Sequence, residues 1–345
     1  METRRRASRE DSEKCRRYCD PMSPLVFVKL FAIFAVVAIG WGAAKSGRLG
    51  GGDPARVLAG AAFYVFVPAL LFRTSARIEF ERLDVRMLLA FFVPTLGVLG
   101  AVYLFLRLRP GGSSEPAAPS VRAITASFGN AVQIGIPLAA ALYGEAGLAL
   151  HITLVSLHSL TLLTVLTALV ELDLARAERR SAGGGPRLLR TLATTVRNTV
   201  IHPVILPVLA GLAWNASGLT IPGFADEILV TLGQAVVPLC LVLIGVSLAH
   251  YGVQGAMRGA LALTLVKLLV QPLAVLAFAR FALGLTGMPL AIVVMMAALP
   301  VGSNALIFAQ RYQTRPGEVS TAIVVSTLAF VATAPLWIAV LHAVG

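Results

Sequence analysis

Two short segments of this chain combine an asparagine with helix-breaking residues inside otherwise apolar stretches. In the first, Asn130 is followed by Gly135 and Pro137, and in the second, Pro300 precedes Asn304. A proline removes a backbone donor and crowds the preceding turn, so both segments predict a break in a helix. Broken helices persist at membrane depth only where they line protein or a water-filled cavity. Two of them at matching places in two halves of a chain indicate the binding site of a transporter.

The half-helices that follow the breaks, starting near Pro137 and Pro300, are predicted to form a site for an anion. Each would direct free N–H groups and the positive end of its helix dipole into the bundle. Gly135 would let the chain leave helical geometry. Neutral hydrogen bonds would come from Asn130, Gln133, Ser303 and Asn304. The alternative is that each proline makes a simple kink and that the asparagines only join neighbouring helices.

Two ionisable side chains are predicted to lie deep in the membrane. Lys267 is about ten residues into its apolar run, which is ~15 Å of helix. At that depth it could attract an organic anion or carry a charge that changes during transport, or it could pair with backbone carbonyls near a broken helix. His158 shares a helix face with His151 and could relay a proton. The alternative for His158 is a hydrogen bond between helices.

The absence of other reactive groups excludes several classes of protein. Acidic residues fall in predicted loops or at the ends of apolar runs, which disfavours a sodium site built on a buried carboxylate. The sequence contains no phosphate-binding loop, no His/Glu zinc motif and no Ser/His/acid set at membrane depth. The three cysteines form no disulfide framework or metal-binding spacing. We therefore predict no enzyme activity, no metal and no cofactor.

The composition is that of an all-α polytopic membrane protein. Of the 345 residues, 57% are hydrophobic and 13% are charged, whereas soluble domains carry about 25% charged residues. Runs of about 20 apolar residues are long enough to cross the ~30 Å hydrocarbon core of a lipid bilayer. Ten such spans are predicted, near 24–43, 55–73, 85–107, 121–143, 147–171, 191–213, 226–248, 257–281, 288–311 and 318–343.

The net charge of +12 reflects membrane orientation rather than binding of nucleic acid. Most cationic residues lie in the loops after the odd-numbered spans, which places those loops in the cytoplasm and both termini outside. The basic residues before the first span contradict this pattern. We therefore expect residues 1–21 to be a disordered basic tail or a mis-assigned start, with Met22 as a natural first residue.

The chain contains a weak internal repeat. The Val67–Pro68 pair of span 2 recurs as Val237–Pro238 in span 7, 170 positions later, and Asn304 follows Asn130 by 174 positions. This spacing predicts a five-helix repeat at 22–174, a cytoplasmic connector at 175–190 and a second five-helix repeat at 191–345. An odd number of spans makes the second repeat enter from the opposite side, so the two repeats must be inverted.

Several motifs follow one another in an order that resembles a single protein family. They are 128–130 with 135–137 in span 4, 237–238 with 243–245 in span 7, Lys267 with Pro272 in span 8, and 299–304 with 309–312 in span 9. Together they resemble the auxin efflux carrier family of permeases, which includes plant auxin exporters and bacterial malonate or malate carriers. The resemblance covers Met22 to the C-terminus. The chain departs from it at His202–Pro203, where the family pattern is Asn-Pro.

The resemblance implies a fold of ten transmembrane helices in two inverted repeats, related to the bile-acid symporters and sodium/proton antiporters. Spans 1, 2, 6 and 7 would form a scaffold that often assembles as a homodimer. Spans 3–5 and 8–10 would form a moving core, in which the broken crossover helices 4 and 9 meet at the substrate. Transport would follow an elevator mechanism.

Residue chemistry and resemblance together predict a secondary active transporter of small organic anions, with carboxylates as the simplest class, in a bacterial-type inner membrane. The carboxylate would sit between the half-helices, with Lys267 as a supporting cation. Two alternatives remain open. A cation/proton antiporter shares the broken-helix design but needs a buried acid. An anion-binding membrane sensor shares the site but needs a partner for its output.

Overall fold

The computed structural model describes residues 24–50, 52–77, 84–109, 115–182, 205–251 and 257–344. Within these ranges the chain is helical, and an isolated antiparallel bridge joins Gly129 to Val301. The predictions for residues 1–21, for the second half of the connector (183–190) and for His202–Pro203 lie outside the described residues.

Twelve helical segments follow one another in the described ranges. They are α1 Pro24–Lys45, α2 Pro54–Ser75, α3 Val85–Leu108, α4 Ala118–Ser127, α5 Ile136–Ala182, α6 Ile205–Ala216, α7 Gly223–Gln234, α8 Val236–Tyr251, α9 Met257–Ala282, α10 Gly287–Ala298, α11 Ser303–Arg311 and α12 Pro316–Val344. A wide turn at Ala131–Gly135 leads into α5. α5 is kinked at Gly144, whose φ is 64°, in the left-handed region that favours glycine.

The length and hydropathy of these helices confirm a polytopic helical membrane protein. Six described helical stretches are long and apolar enough to cross a bilayer: Pro54–Ser75, Val85–Leu108, Ala131–Val155, Gly223–His250, Met257–Ala282 and Pro316–Val344. Shorter apolar helices occur at Phe31–Lys45, Leu206–Ala216 and Gly287–Ala298. The count of ten spans and the inverted relation of two repeats stay predictions.

α1 and α8 form an extensive helix pair in the described structure. A side chain at Gly245 of α8 would collide with the backbone of Val37 and Trp41, and a side chain at Gly40 of α1 would collide with the backbone of Val242. Small residues at such crossings let helices in a membrane approach to backbone contact, where van der Waals packing replaces the hydrophobic effect as the driving force. The two glycines therefore allow α1 and α8 to pack in direct backbone contact.

A buried carboxylate, Asp173, joins three helices near the C-terminal end of α5. The hydroxyl of Tyr103 in α3 donates to one carboxylate oxygen at 2.8 Å, and that of Ser120 in α4 donates to the other at 2.6 Å. Arg107 and Arg176 lie 3.6 and 4.0 Å from the same carboxylate. Asp173 is 1% exposed, so these contacts replace the water that would otherwise solvate its charge.

A second buried carboxylate, Glu318, connects the two halves of the chain. Arg122 of α4 forms an ion pair with it at 2.8 Å, and Arg315 forms another at 3.1 Å. Because Arg122 and Glu318 are 196 positions apart, the pair ties α4 to α12 and stabilises the region that contains the two helix breaks.

Replacing Asp173 with alanine should lower the free energy of unfolding by about 3 kcal/mol, because it removes one partner of a buried charged network. Thermal unfolding of purified protein in detergent would measure this loss. Glu145→Ala is a matched control: Glu145 is exposed on α5, and such surface substitutions change stability by about 0.5 kcal/mol or less. Equal melting temperatures for the two variants would contradict a stabilising role for Asp173.

Candidate functional site

The two predicted helix breaks lie against each other. α4 ends at Ser127 and α10 ends at Ala298. Between the half-helices, the N–H of Asn130 donates to the carbonyl of Pro300 at 2.8 Å, and the N–H of Gly302 donates to the carbonyl of Phe128 at 2.9 Å. Backbone groups released from the helices therefore satisfy one another, which is a requirement for irregular chain inside a membrane. We call residues 128–130 and 300–302 the crossing.

Gly302 lets the two breaks come into close contact, and the neighbouring helix α12 binds the second break. A Cβ atom at Gly302 would lie 2.8 Å from the carbonyl oxygen of Gly129 and 2.9 Å from Cδ1 of Phe128. Those distances leave no room for a side chain. The N–H of Val301 donates to Oγ of Ser326 in α12 at 3.0 Å, so a third helix fixes the second break.

The first half-helix, α5, begins at Ile136, next to Pro137 as predicted. The wide turn at Ala131–Gly135 precedes it, and Asn130 is the N-terminal cap of that turn. Its Oδ1 accepts a hydrogen bond from the N–H of Gln133 at 3.2 Å. An asparagine cap satisfies a free N–H at a helix start, whereas a proline only removes one donor. The second half-helix begins at Ser303, near Pro300 as predicted.

Three of the predicted site residues form one hydrogen-bonded group across the two breaks. Oε1 of Gln133 accepts from Nδ2 of Asn130 at 2.9 Å and from Oγ of Ser303 at 3.3 Å. Asn130 and Gln133 are only 8% and 6% exposed. With its Oε1 occupied, Gln133 retains the Nε2 amide as a hydrogen-bond donor.

The first turn of α11 adds further donors beside this group. The N–H groups of Ser303 and Asn304 donate to no backbone oxygen of the described residues. The half-buried amide of Asn304 makes no hydrogen bond within the described part of the chain. Because these groups lie at the positive end of a helix, they suit a negatively charged partner.

Lys267 lies beside the crossing, against the C-terminal end of α10. Its side chain is 0% exposed, and Nζ donates to the carbonyl of Ala297 at 2.5 Å. A Cβ atom at Gly129 would lie 3.5 Å from Nζ. One turn further along α9, Nε2 of Gln271 donates to the carbonyl of Ser127 at 3.1 Å. Pairing with backbone carbonyls is one of the interpretations of Lys267 that the sequence leaves open.

The two histidines of α5 have different surroundings. His158, the predicted proton relay, is buried between the rings of Phe91 and Phe128, with centroids 5.5 and 4.6 Å away. Neither of its ring nitrogens has a hydrogen bond among the described residues. His151 instead lies at the break, where its Nε2 is 2.9 Å from the carbonyl oxygen of Ala131. Their separation of seven positions correctly placed both histidines on one face of α5. It could not predict that His151 contacts a backbone carbonyl whereas His158 lies between aromatic rings.

Gly135 has a packing role at this site. A side chain there would collide with the ring of His151 and would come within 2.8 Å of Cδ1 of Leu299. The same residues line a small cavity together with Met295 and Met296 of α10. Gly135 thus lets the start of α5 pack directly on the end of α10.

Several apolar helices of membrane-crossing length, with two crossing breaks that retain hydrogen-bond donors, define a polytopic membrane transporter. The model of one protein family, described as "membrane transport protein", matches residues 25–338, and the chain belongs to this family. This membership confirms the resemblance to the auxin efflux carriers, and the protein is a transporter rather than an enzyme.

Two curated relatives have similar sequences over most of their length. An "uncharacterized transporter" of Methanothermobacter thermautotrophicus is 25% identical over 317 residues, which are 90% of this chain and 97% of that protein. A "putative malonate transporter" of Rhizobium meliloti is 25% identical over 277 residues, or 78% of this chain and 82% of that protein.

Proposed function

We propose that this protein is a secondary active transporter of small organic anions, with carboxylates as the substrate class. The observation that carries the proposal is a set of hydrogen-bond donors beside the crossing that have no partner among the described residues. A carboxylate would accept hydrogen bonds from the first N–H groups of α11, from the Asn304 amide and from Nε2 of Gln133. The relative described as a putative malonate transporter supports the same substrate class.

The distribution of charge supports an anion rather than a cation at this site. The buried carboxylates of the described residues, Asp173 and Glu318, are engaged with arginines. Lys267, whose protonated side chain is a cation, is buried beside the crossing. A cation/proton antiporter would need the opposite arrangement, with an acid beside the break.

The proposed movement is of the elevator type. α3–α5 and α9–α12 would move as one core, since Glu318 and the crossing connect them. The remaining helices, among them the tightly packed pair α1 and α8, would form the scaffold and its homodimer contact. The membrane would be the plasma (bacterial inner) membrane, with both termini outside. A negative-inside potential then favours anion export by ~2.3 kcal/mol per charge and 100 mV.

Reconstituted wild-type protein should carry a carboxylate current in proteoliposomes, and Asn304→Ala should reduce it by about 10–100-fold. The reason is the loss of a hydrogen bond to a charged group, which contributes about 1.5–3 kcal/mol. The measurement is electrogenic and radiotracer flux with a panel of mono- and dicarboxylates. Asn215→Ala is the matched control, because Asn215 bonds to the carbonyl of Ala76 far from the crossing.

The outcome also separates the alternatives. Carboxylate binding without any flux in the wild type would favour an anion-binding sensor. Flux of a monovalent cation without carboxylate flux would favour an antiporter. Equal carboxylate flux in Asn304→Ala and Asn215→Ala would remove Asn304 from the proposed site.

A further inference from the structure

The crossing has a negative side as well as a positive one. The breaks leave the last carbonyls of α4 and α10 without their usual intrahelical partners, and these ends carry the negative pole of the helix dipole. Both ends face α9. Gln271 donates to the carbonyl of Ser127, and Lys267 donates to the carbonyl of Ala297. Lys267 and Gln271 are four positions apart, so they lie on one face of that helix.

In transporters with broken helices, unwound carbonyls and the C-terminal ends of half-helices are the groups that bind a co-transported Na⁺ or H⁺. Here that position is already taken by an ammonium group. Lys267 is fully buried and forms no ion pair with a carboxylate of the described residues. Its Nζ lies beside the extended chain at Gly129 and contacts the end of α10. Its charge is therefore compensated by the carbonyl ends of half-helices.

We propose that Lys267 is a built-in counter-cation that takes the place of a co-transported metal cation. This inference rests on the proposed function, because it states how the anion site is balanced. The carbonyls that would otherwise coordinate Na⁺ bind the ammonium instead. Anion binding on the other side of the crossing then needs no external cation, and transport is independent of sodium.

The positive charge of Lys267 also favours one direction of the transport cycle. With a monoanion bound, the charges of substrate and Lys267 cancel, so the loaded core crosses the membrane without net charge from these two groups. The empty core retains the positive charge. A negative-inside potential draws a positive core towards the cytoplasm, where it can load substrate again, and this favours export.

The test compares wild type, Lys267→Ala and Lys267→Met in proteoliposomes containing either sodium or choline. Wild-type carboxylate flux should change less than twofold when choline replaces sodium. In choline, the carboxylate flux of Lys267→Ala should be at least tenfold lower than that of the wild type. Adding sodium or methylammonium should raise this flux at least threefold, because the vacated carbonyls can bind a small cation. The flux of Lys267→Met should fall by the same factor and should not rise when a cation is added, because the methionine side chain fills the space without carrying a charge.

Three results would overturn the proposal: sodium-dependent flux in the wild type, full flux of Lys267→Ala in choline, or no recovery of that variant with either cation. A binding readout keeps the inference separate from the proposed function. If the wild type transports no carboxylate, the proposed function fails. The inference is then decided by whether methylammonium chloride raises the melting temperature of Lys267→Ala more than choline chloride does, with no such rise in wild type or Lys267→Met. Absence of that rise overturns it.

Discussion

Replacing Gly302 with valine is expected to abolish carboxylate flux and to lower the free energy of unfolding by about 3 kcal/mol. A Cβ atom at this position would lie 2.8 Å from the carbonyl oxygen of Gly129, so the two breaks would have to separate. The hydrogen bonds that join Asn130 to Pro300 and Gly302 to Phe128 would then be lost. Proteoliposome flux and thermal unfolding in detergent would measure the two effects.

Gly97→Val is the matched control for this substitution. Gly97 is an exposed glycine of α3, and a Cβ atom there would meet nothing within 4 Å. We expect its flux and melting temperature to equal those of the wild type. If Gly302→Val transported as well as Gly97→Val, close contact of the two breaks would not be required for function, and the site proposed at the crossing would have to be abandoned.

The membrane fold could be predicted from the sequence because hydropathy and length are local properties. An apolar run of about 20 residues must cross the bilayer as a helix, since unpaired backbone cannot face lipid. The positions of the breaks could also be predicted from the sequence, because glycine and proline disrupt the helix locally, within one turn of their own position. α4 ends at Ser127, three positions before Asn130, and α10 ends at Ala298, two positions before Pro300.

The details of the crossing could not be predicted, because they depend on contacts between distant parts of the chain. The wide turn at Ala131–Gly135 that leads into α5 depends on Asn130 as a cap. From the sequence, Asn130 is predicted to bind substrate or to join neighbouring helices, and neither role indicates a cap. The hydrogen bond from Ser303 to Gln133 spans 170 positions. A repeat offset indicates that two segments correspond, but it does not determine which atoms meet.

The burial of Asp173 could not be predicted from the sequence either, because it also depends on contacts with distant residues. It lies two positions beyond the predicted span 147–171, where a carboxylate is ordinarily solvated, and α5 continues to Ala182. Its hydroxyl partners are Tyr103 and Ser120, 70 and 53 positions away. No sequence motif joins the three residues, so the signal for this site exists only once α3, α4 and α5 are packed together.

Gln133→Glu is expected to reduce carboxylate flux by about a thousandfold. Glutamate has the same shape and retains an oxygen that can accept the hydrogen bonds of Asn130 and Ser303. It replaces the Nε2 donor with a negative oxygen. Two like charges ~4 Å apart repel by about 4 kcal/mol at an effective dielectric constant of about 20, which is roughly a thousandfold in affinity. Flux assays over a range of carboxylate concentrations would measure the loss.

Gln133→Met separates the effect of charge from that of hydrogen bonding. It retains the length of the side chain, loses both hydrogen bonds and adds no charge, so we expect a reduction of only about tenfold. If an anion occupies the crossing, glutamate must be much more harmful than methionine, because repulsion adds to the lost donor. The reverse order, with glutamate tolerated and methionine inactive, would mean that the crossing prefers a cation. In that case Lys267 would compete with the substrate rather than support it, and the protein would be a cation transporter.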